Sequence, residues 1–226
     1  MLLTVCVAIS VQARPLFGEQ KLFVDDWRFK LESGGDKIKL NDDAEKWRKV
    51  TLPHDWSVEG RYSHTYGSAT GYLPGGLGWY AKSFSVPESA KGKKVFIYFE
   101  GVYNRSKVYL NGNLLGERPN GYVSFMYDLT PYLKYGNEMN DIRVEVDHTR
   151  YIDSRWYTGS GIYRDVYLVY AEPTHIDLWG TYCITKNVTK SKADFVVQTT
   201  LRNEQFKAAK AEVELSLYDR ADGKLV

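Results

Sequence analysis

Apolar and polar residues alternate in short runs along most of this chain, and Gly, Asn, Asp or Pro separates one run from the next. Alternation puts every second side chain on the same face, as a half-buried β-strand requires. Trp79 to Val86 alternates in this way. Lys94 to Phe99 sets Val95, Ile97 and Phe99 on one face, and Ile142, Val144 and Val146 do the same further on. Ser106 to Leu110 leads into Asn111-Gly112, two residues that tolerate positive φ, with Leu114-Leu115 on the return strand. That pair predicts a tight hairpin. Tyr122 to Leu129 and Val166 to Tyr170 complete the series. Only Asp42 to Trp47 suggests helix, as a single turn. Strands at this spacing predict an all-β sandwich.

Glu172-Pro173 marks a boundary, because proline ends strands and holds its predecessor extended. Beyond it, 175–184, 194–202 and 211–218 are three more strand candidates, and Asp222-Gly223 is another hairpin signal. Three strands with an open edge make a poor independent fold. Residues 173–226 therefore read as the truncated start of an immunoglobulin-like sandwich.

Two segments stand out from the strand pattern. Residues 61–78 are glycine-rich and offer little to a core, so they predict a long functional loop. Residues 155–166, Arg-Trp-Tyr-Thr-Gly-Ser-Gly-Ile-Tyr-Arg-Asp-Val, join two strand-like stretches with aromatics, glycines and an arginine. Such a link can hold aromatic faces and a guanidinium towards one spot, as a sugar-recognition loop does.

The 226 residues hold 43% hydrophobic positions, enough for a core. Thirty Lys plus Arg against 28 Asp plus Glu leave a formal charge of +2, which supplies no electrostatic case for nucleic acid. Residues 1–13 are apolar and uncharged and end in Val11-Gln12-Ala13. They resemble a secretory signal peptide without its usual basic start, and they are too short to span a membrane. Periplasmic or secreted localisation is the expectation. Removal of the peptide would take Cys6 and leave Cys183 alone, so no internal disulfide is expected; Cys183 reads as a small core residue. The four histidines show no metal-ligand spacing.

Five segments, in order, resemble the N-terminal domain of family 2 glycoside hydrolases, with the β-galactosidase branch nearest. They are Trp47 with Val50-Thr51-Leu52-Pro53-His54-Asp55-Trp56; Gly78-Trp79-Tyr80 with Phe84; Phe99 to Tyr103 followed by Val108 to Gly112; Gly121-Tyr122 with Phe125 and Asp128-Leu129-Thr130; and the run at 155–166. The resemblance implies a jelly-roll sugar-binding domain over 14–172, an incomplete immunoglobulin-like β-sandwich over 173–226, and a catalytic barrel that this chain lacks. The family hydrolyses with retention, using two glutamates about 5 Å apart. In the family both belong to the barrel, and no residue here matches either motif, so no catalytic residue is assigned.

In some members, loops of this domain shape the pocket for the terminal sugar. The matching stretches are 71–78 and 153–156, so Asp153, Arg155, Trp156 and Trp79 are the candidate substrate-binding residues. A flat aromatic suits the C–H face of a sugar, and Asp and Arg suit its hydroxyls. Equally, Trp156 could plug the core while Arg155 pairs with a carboxylate. Asp153 lies near the point where one family member holds sodium, but its spacing to the Gly-Ser-Gly turn differs, and no metal or other cofactor is expected. Arg164-Asp165 reads as structural ion pairing or backbone bonding. His54, Asp55 and Ser57 do not read as a triad, because neighbouring strand residues face opposite ways.

The preferred function is the N-terminal portion of a secreted β-galactosidase-like enzyme, binding a terminal galactoside and inactive without its barrel. A stand-alone lectin-like module, a β-glucuronidase or β-mannosidase of the same family, and a purely structural role are the alternatives. Oligomeric state stays open; a homo-oligomeric full-length parent is compatible with the resemblance.

Overall fold

A computed structural model describes residues 17–150, 156–219 and 221–225. Residues 1–13, expected to be a signal peptide, and Asp153 and Arg155 lie outside the described residues.

In chain order the strands are β1 (Glu19–Leu22), β2 (Trp27–Leu31), β3 (Arg48–Val50), β4 (Gly76–Phe84), β5 (Lys94–Phe99), β6 (Ser106–Leu110), β7 (Asn113–Arg118), β8 (Phe125–Asp128), β9 (Asn140–His148), β10 (Val166–Ala171), β11 (Thr174–Lys186) and β12 (Asp194–Asn203). The chain divides into two compact units, one covering Phe17–Pro173 and one holding Thr174 onwards. The first is a jelly-roll β-sandwich of two antiparallel sheets, ordered β1-β10-β5-β8 and β3-β2-β4-β9-β6-β7.

Alternation in the strands builds the core between these sheets. Trp27 and Phe29 of β2, Tyr80 of β4, and Ile142, Val144 and Val146 of β9 pack against Val95, Ile97 and Phe99 of β5 and Leu168 of β10. Fully burying one such side chain stabilises the fold by roughly 1.5–3 kcal/mol. On β5 the other face is buried as well, since Phe96 and Tyr98 are covered, with Phe17 edge-on to Phe96. The hairpin at Asn111-Gly112 forms as its residues demand, with φ of 49° and 82° and Leu110 paired to Asn113. β8 starts later than the alternation predicts. Asn120 Oδ1 accepts the Tyr122 N–H at 2.8 Å, and this local turn leaves Tyr122 and Val123 exposed ahead of the strand.

The outer face of the larger sheet is covered too. Residues 32–47 cross it, tied down by Ile38 N–H donating to Glu32 Oε1 and by Arg143 Nη1 donating to Asp42 O. Asp43 caps the short 3-10 turn Ala44–Lys46, and Arg28 bonds Glu45 within it. Trp79 and Tyr80 point to opposite faces of β4. Tyr80 enters the sandwich core, and Trp79 enters the cluster of Ile38, Trp47 and Ala81 beneath this covering segment.

In the second unit, β11 and β12 form an antiparallel pair with a register shift between Ile176 and Thr181. Two expectations are corrected there. The alternation at 211–218 builds no strand among the described residues; Val213, Leu215 and Leu217 remain 38–54% exposed, because no neighbouring strand offers them a ladder or a face. Cys183 is exposed, not a core residue, for the same reason. The Asp222-Gly223 turn does form, bridging Tyr218 to Leu225.

Candidate sugar-binding site

Several connections gather at one end of the sandwich, beside the start of β4 and the end of β9, where Gly76 pairs with His148. The chain after β3 runs extended, with His54 N–H donating to Ile162 O at 2.8 Å and Trp56 N–H to Ser160 O at 3.1 Å. On its other edge, Gly161 exchanges two 2.9 Å bonds with Tyr103. The stretch 159–162 is therefore a seam laid between two other segments. Gly161 has φ of 120°, and a Cβ there would sit 2.3 Å from Tyr80 Oη and 2.7 Å from His54 O. Glycine is needed for both conformation and space. This corrects the reading of the whole run as a recognition loop. Gly159 to Ile162 are buried packing residues, while Trp156 and Tyr157 stay exposed.

Polar side chains lock the seam. The Asp55 carboxylate accepts Ser57 N–H and Ser160 N–H on Oδ1, each at 2.9 Å, and the Tyr157 hydroxyl on Oδ2 at 2.5 Å. Burial, then the Asp55 carboxylate, push the Tyr157 hydroxyl well above the usual tyrosine range. His54 turns the opposite way. Its Nδ1 meets Tyr80 Oη at 2.6 Å, and its Nε2 faces Arg48 Nη2 at 2.9 Å and Glu59 Oε1 at 3.2 Å, with Arg48 and Glu59 themselves paired. Burial lowers the proton affinity of His54, and Glu59 partly offsets this. His54 and Asp55 thus serve separate networks, in keeping with their alternation.

Beyond the seam lies a ledge of exposed rings. Trp156 is 62% exposed and donates its Nε1–H to Tyr122 Oη at 3.0 Å; Tyr122 is 52% exposed. Tyr122 rests edge-on over buried Tyr103, and Tyr103 edge-on over buried His148. The turn that carries Tyr122 is tethered by Tyr163, whose hydroxyl donates to Gly121 O at 2.9 Å. Arg164 lies over the Tyr163 ring, 5.6 Å from its centroid, while Asp165 accepts the Glu100 N–H on its carbonyl and the Tyr167 hydroxyl on its carboxylate. Gly71 approaches Tyr157, so the long loop reaches the same end.

Of the candidate residues, then, Trp156 stands on this ledge and does not plug the core. Trp79 does not belong to it. At 4% exposed, with its ring stacked on Tyr109 at 6.1 Å, Trp79 has no open face for a sugar, and its assignment is corrected to packing. Tyr122 was not predicted as a site residue. Its signal was the Gly121-Tyr122 pair, which reads as a strand start until the Asn120 turn is seen. Among the described residues no cluster of His, Cys, Asp or Glu could hold a metal ion.

An antiparallel jelly roll with hydrogen-bonded rings exposed at its loop end has the makings of a carbohydrate-binding domain. Residues 25–173 match the sugar binding domain of glycosyl hydrolases family 2, and the chain belongs to that family. It is 46% identical over 210 residues to the β-galactosidase BoGH2A of Bacteroides ovatus, covering 92% of this chain and 24% of that protein. It is 39% identical to a putative β-glucuronidase of Formosa agariphila, covering 90% of this chain and 19% of that one. The crystal structure of a β-glycosidase from Bacteroides vulgatus superposes with a TM-score of 0.76 at 44% identity, over 84% of this chain and 25% of that one. The chain thus spans about a quarter of the length of the relatives it matches.

Proposed function

We propose that this chain is the sugar-binding portion of an exported glycoside hydrolase that removes terminal β-galactosides with retention, and that its ledge forms part of the wall around the terminal sugar. The exposed Trp156–Tyr122 pair carries this reading. Each ring offers a flat apolar face, the Trp156–Tyr122 bond fixes the pair, and buried Tyr103 supports it from below. The 46% identity to a β-galactosidase supports galactoside as the substrate class. Asp153 and Arg155, within three positions of Trp156 in sequence, would supply hydroxyl contacts.

A β-glucuronide is the second reading, supported by the 39% identity to the Formosa agariphila protein. Titrating methyl β-galactoside and methyl β-glucuronide into the chain, followed by tryptophan fluorescence, compares the two directly. A chromogenic galactoside assay runs alongside. Galactoside binding without turnover is expected, since no residue here matches either glutamate motif. Binding of neither sugar would refute a sugar-contacting ledge on this chain.

A further inference from the structure

Three short contacts run in series through the seam. Ser57 Oγ lies 2.7 Å from Pro74 O, Ser57 Oγ lies 2.5 Å from Ser160 Oγ, and Ser160 Oγ lies 2.6 Å from His148 Nδ1. Ser57, Ser160 and His148 are each 0–1% exposed. Three contacts need three hydrogens. A carbonyl oxygen has none, and the two hydroxyls supply one each. The third must be on His148 Nδ1. The direction of the chain follows: Nδ1–H donates to Ser160, Ser160 to Ser57, and Ser57 to the Pro74 carbonyl.

Both ends of this chain lead to the ledge. His148 supports Tyr103, which supports Tyr122, whose hydroxyl accepts the Trp156 indole N–H. Ser160 donates its backbone N–H to Asp55, which also holds the Tyr157 hydroxyl. Pro74 closes the loop that reaches Tyr157 through Gly71. We propose that His148, Ser160 and Ser57 are positioning residues, a directed hydrogen-bond chain in which His148 Nδ1–H donates towards the Pro74 carbonyl, and which holds Trp156 and Tyr157 in place for a sugar. The positioning role rests on the sugar-binding reading above; the direction of the chain does not.

Two amide substitutions separate this role from simple filling of space. In His148→Asn the side-chain NH2 can stand near Nδ1 and donate to Ser160, whereas in His148→Gln it reaches the Nε2 position and leaves Ser160 without its donor. In the intact chain, 15N NMR of the imidazoles at neutral pH should show His148 Nδ1 protonated. With 5-fluorotryptophan incorporated, the Trp156 19F signal should stay in place in His148→Asn and move in His148→Gln and Ser160→Ala. The latter two should weaken methyl β-galactoside binding about tenfold, or about 1.4 kcal/mol.

If the His148 variants fail to fold, the wild-type 15N spectrum and Ser57→Ala still decide, since Ser57→Ala must shift the His148 resonances through Ser160. An unprotonated Nδ1 in the wild type would overturn the proposal, as would equal behaviour of the two amide variants. Absence of any sugar binding by the wild type would remove the sugar-binding reading and the positioning role that rests on it, while the 15N and 19F spectra would still judge the chain itself.

Discussion

Asp55→Ala tests the seam most directly. The carboxylate accepts two backbone N–H groups, from Ser57 and Ser160, both belonging to residues no more than 1% exposed. Alanine has no acceptor, and a buried donor left unsatisfied costs about 1–3 kcal/mol. Two of them predict a loss of about 2–5 kcal/mol, allowing for some rescue by water entering through the partly exposed Asp55 position. For a unit of this size each kilocalorie lowers the melting temperature by about 2–4 °C. Tyr157→Phe removes one further bond to the same carboxylate, at an exposed ring, and should cost about 0.5–1.5 kcal/mol. Once Asp55 is gone, Tyr157→Phe should cost almost nothing, because the hydroxyl has already lost its acceptor. Urea denaturation of the two single variants and the double variant yields this coupling. An Asp55→Ala loss below about 0.5 kcal/mol would refute the assignment of Asp55 as the anchor. So would an undiminished Tyr157→Phe effect in the Asp55→Ala background.

Three further outcomes follow from the same geometry. Gly161→Ala should destabilise by about 2–6 kcal/mol, combining backbone strain at φ 120° with a Cβ driven against Tyr80 and His54 O; soluble yield and urea midpoint report it, and a near-neutral result would contradict the seam. His54 has its proton affinity lowered by burial, so the unfolded chain takes up the proton first. The stability it contributes is fully present above the unfolded value of 6.5 and declines as pH falls below it, and His54→Asn should flatten that decline in urea midpoints measured from pH 8 to 5. Trp156→Ala should leave stability within about 0.5 kcal/mol, because the ring is mostly exposed, yet abolish the fluorescence response to methyl β-galactoside.

Much of the sandwich could be read along the chain. Val95, Ile97 and Phe99, or Ile142, Val144 and Val146, each select a buried face by alternation alone, and Asn111-Gly112 sets its own turn, because strand faces and tight turns depend on neighbours a few residues away. Trp27 to Leu31 shows the limit. It alternates too, but it is short and follows Asp25-Asp26, and its status as a strand comes from β3 and β4 on either side. Val213, Leu215 and Leu217 alternate just as clearly and form no strand, since no ladder lies beside them among the described residues. The site was less legible still. The run at 155–166 announced itself by composition, yet its glycines serve close packing against Tyr80, His54 and Asp55, and Trp79 lies beneath a segment that crosses the sheet from residues 32–47. Asp55 meets Tyr157 and Ser160 across separations of 102 and 105 residues. The sequence determined which side chains seek burial and where the chain turns, because those preferences are local. Only the tertiary structure decided which distant donor meets which acceptor, because the order of strands in the two sheets brings those segments together.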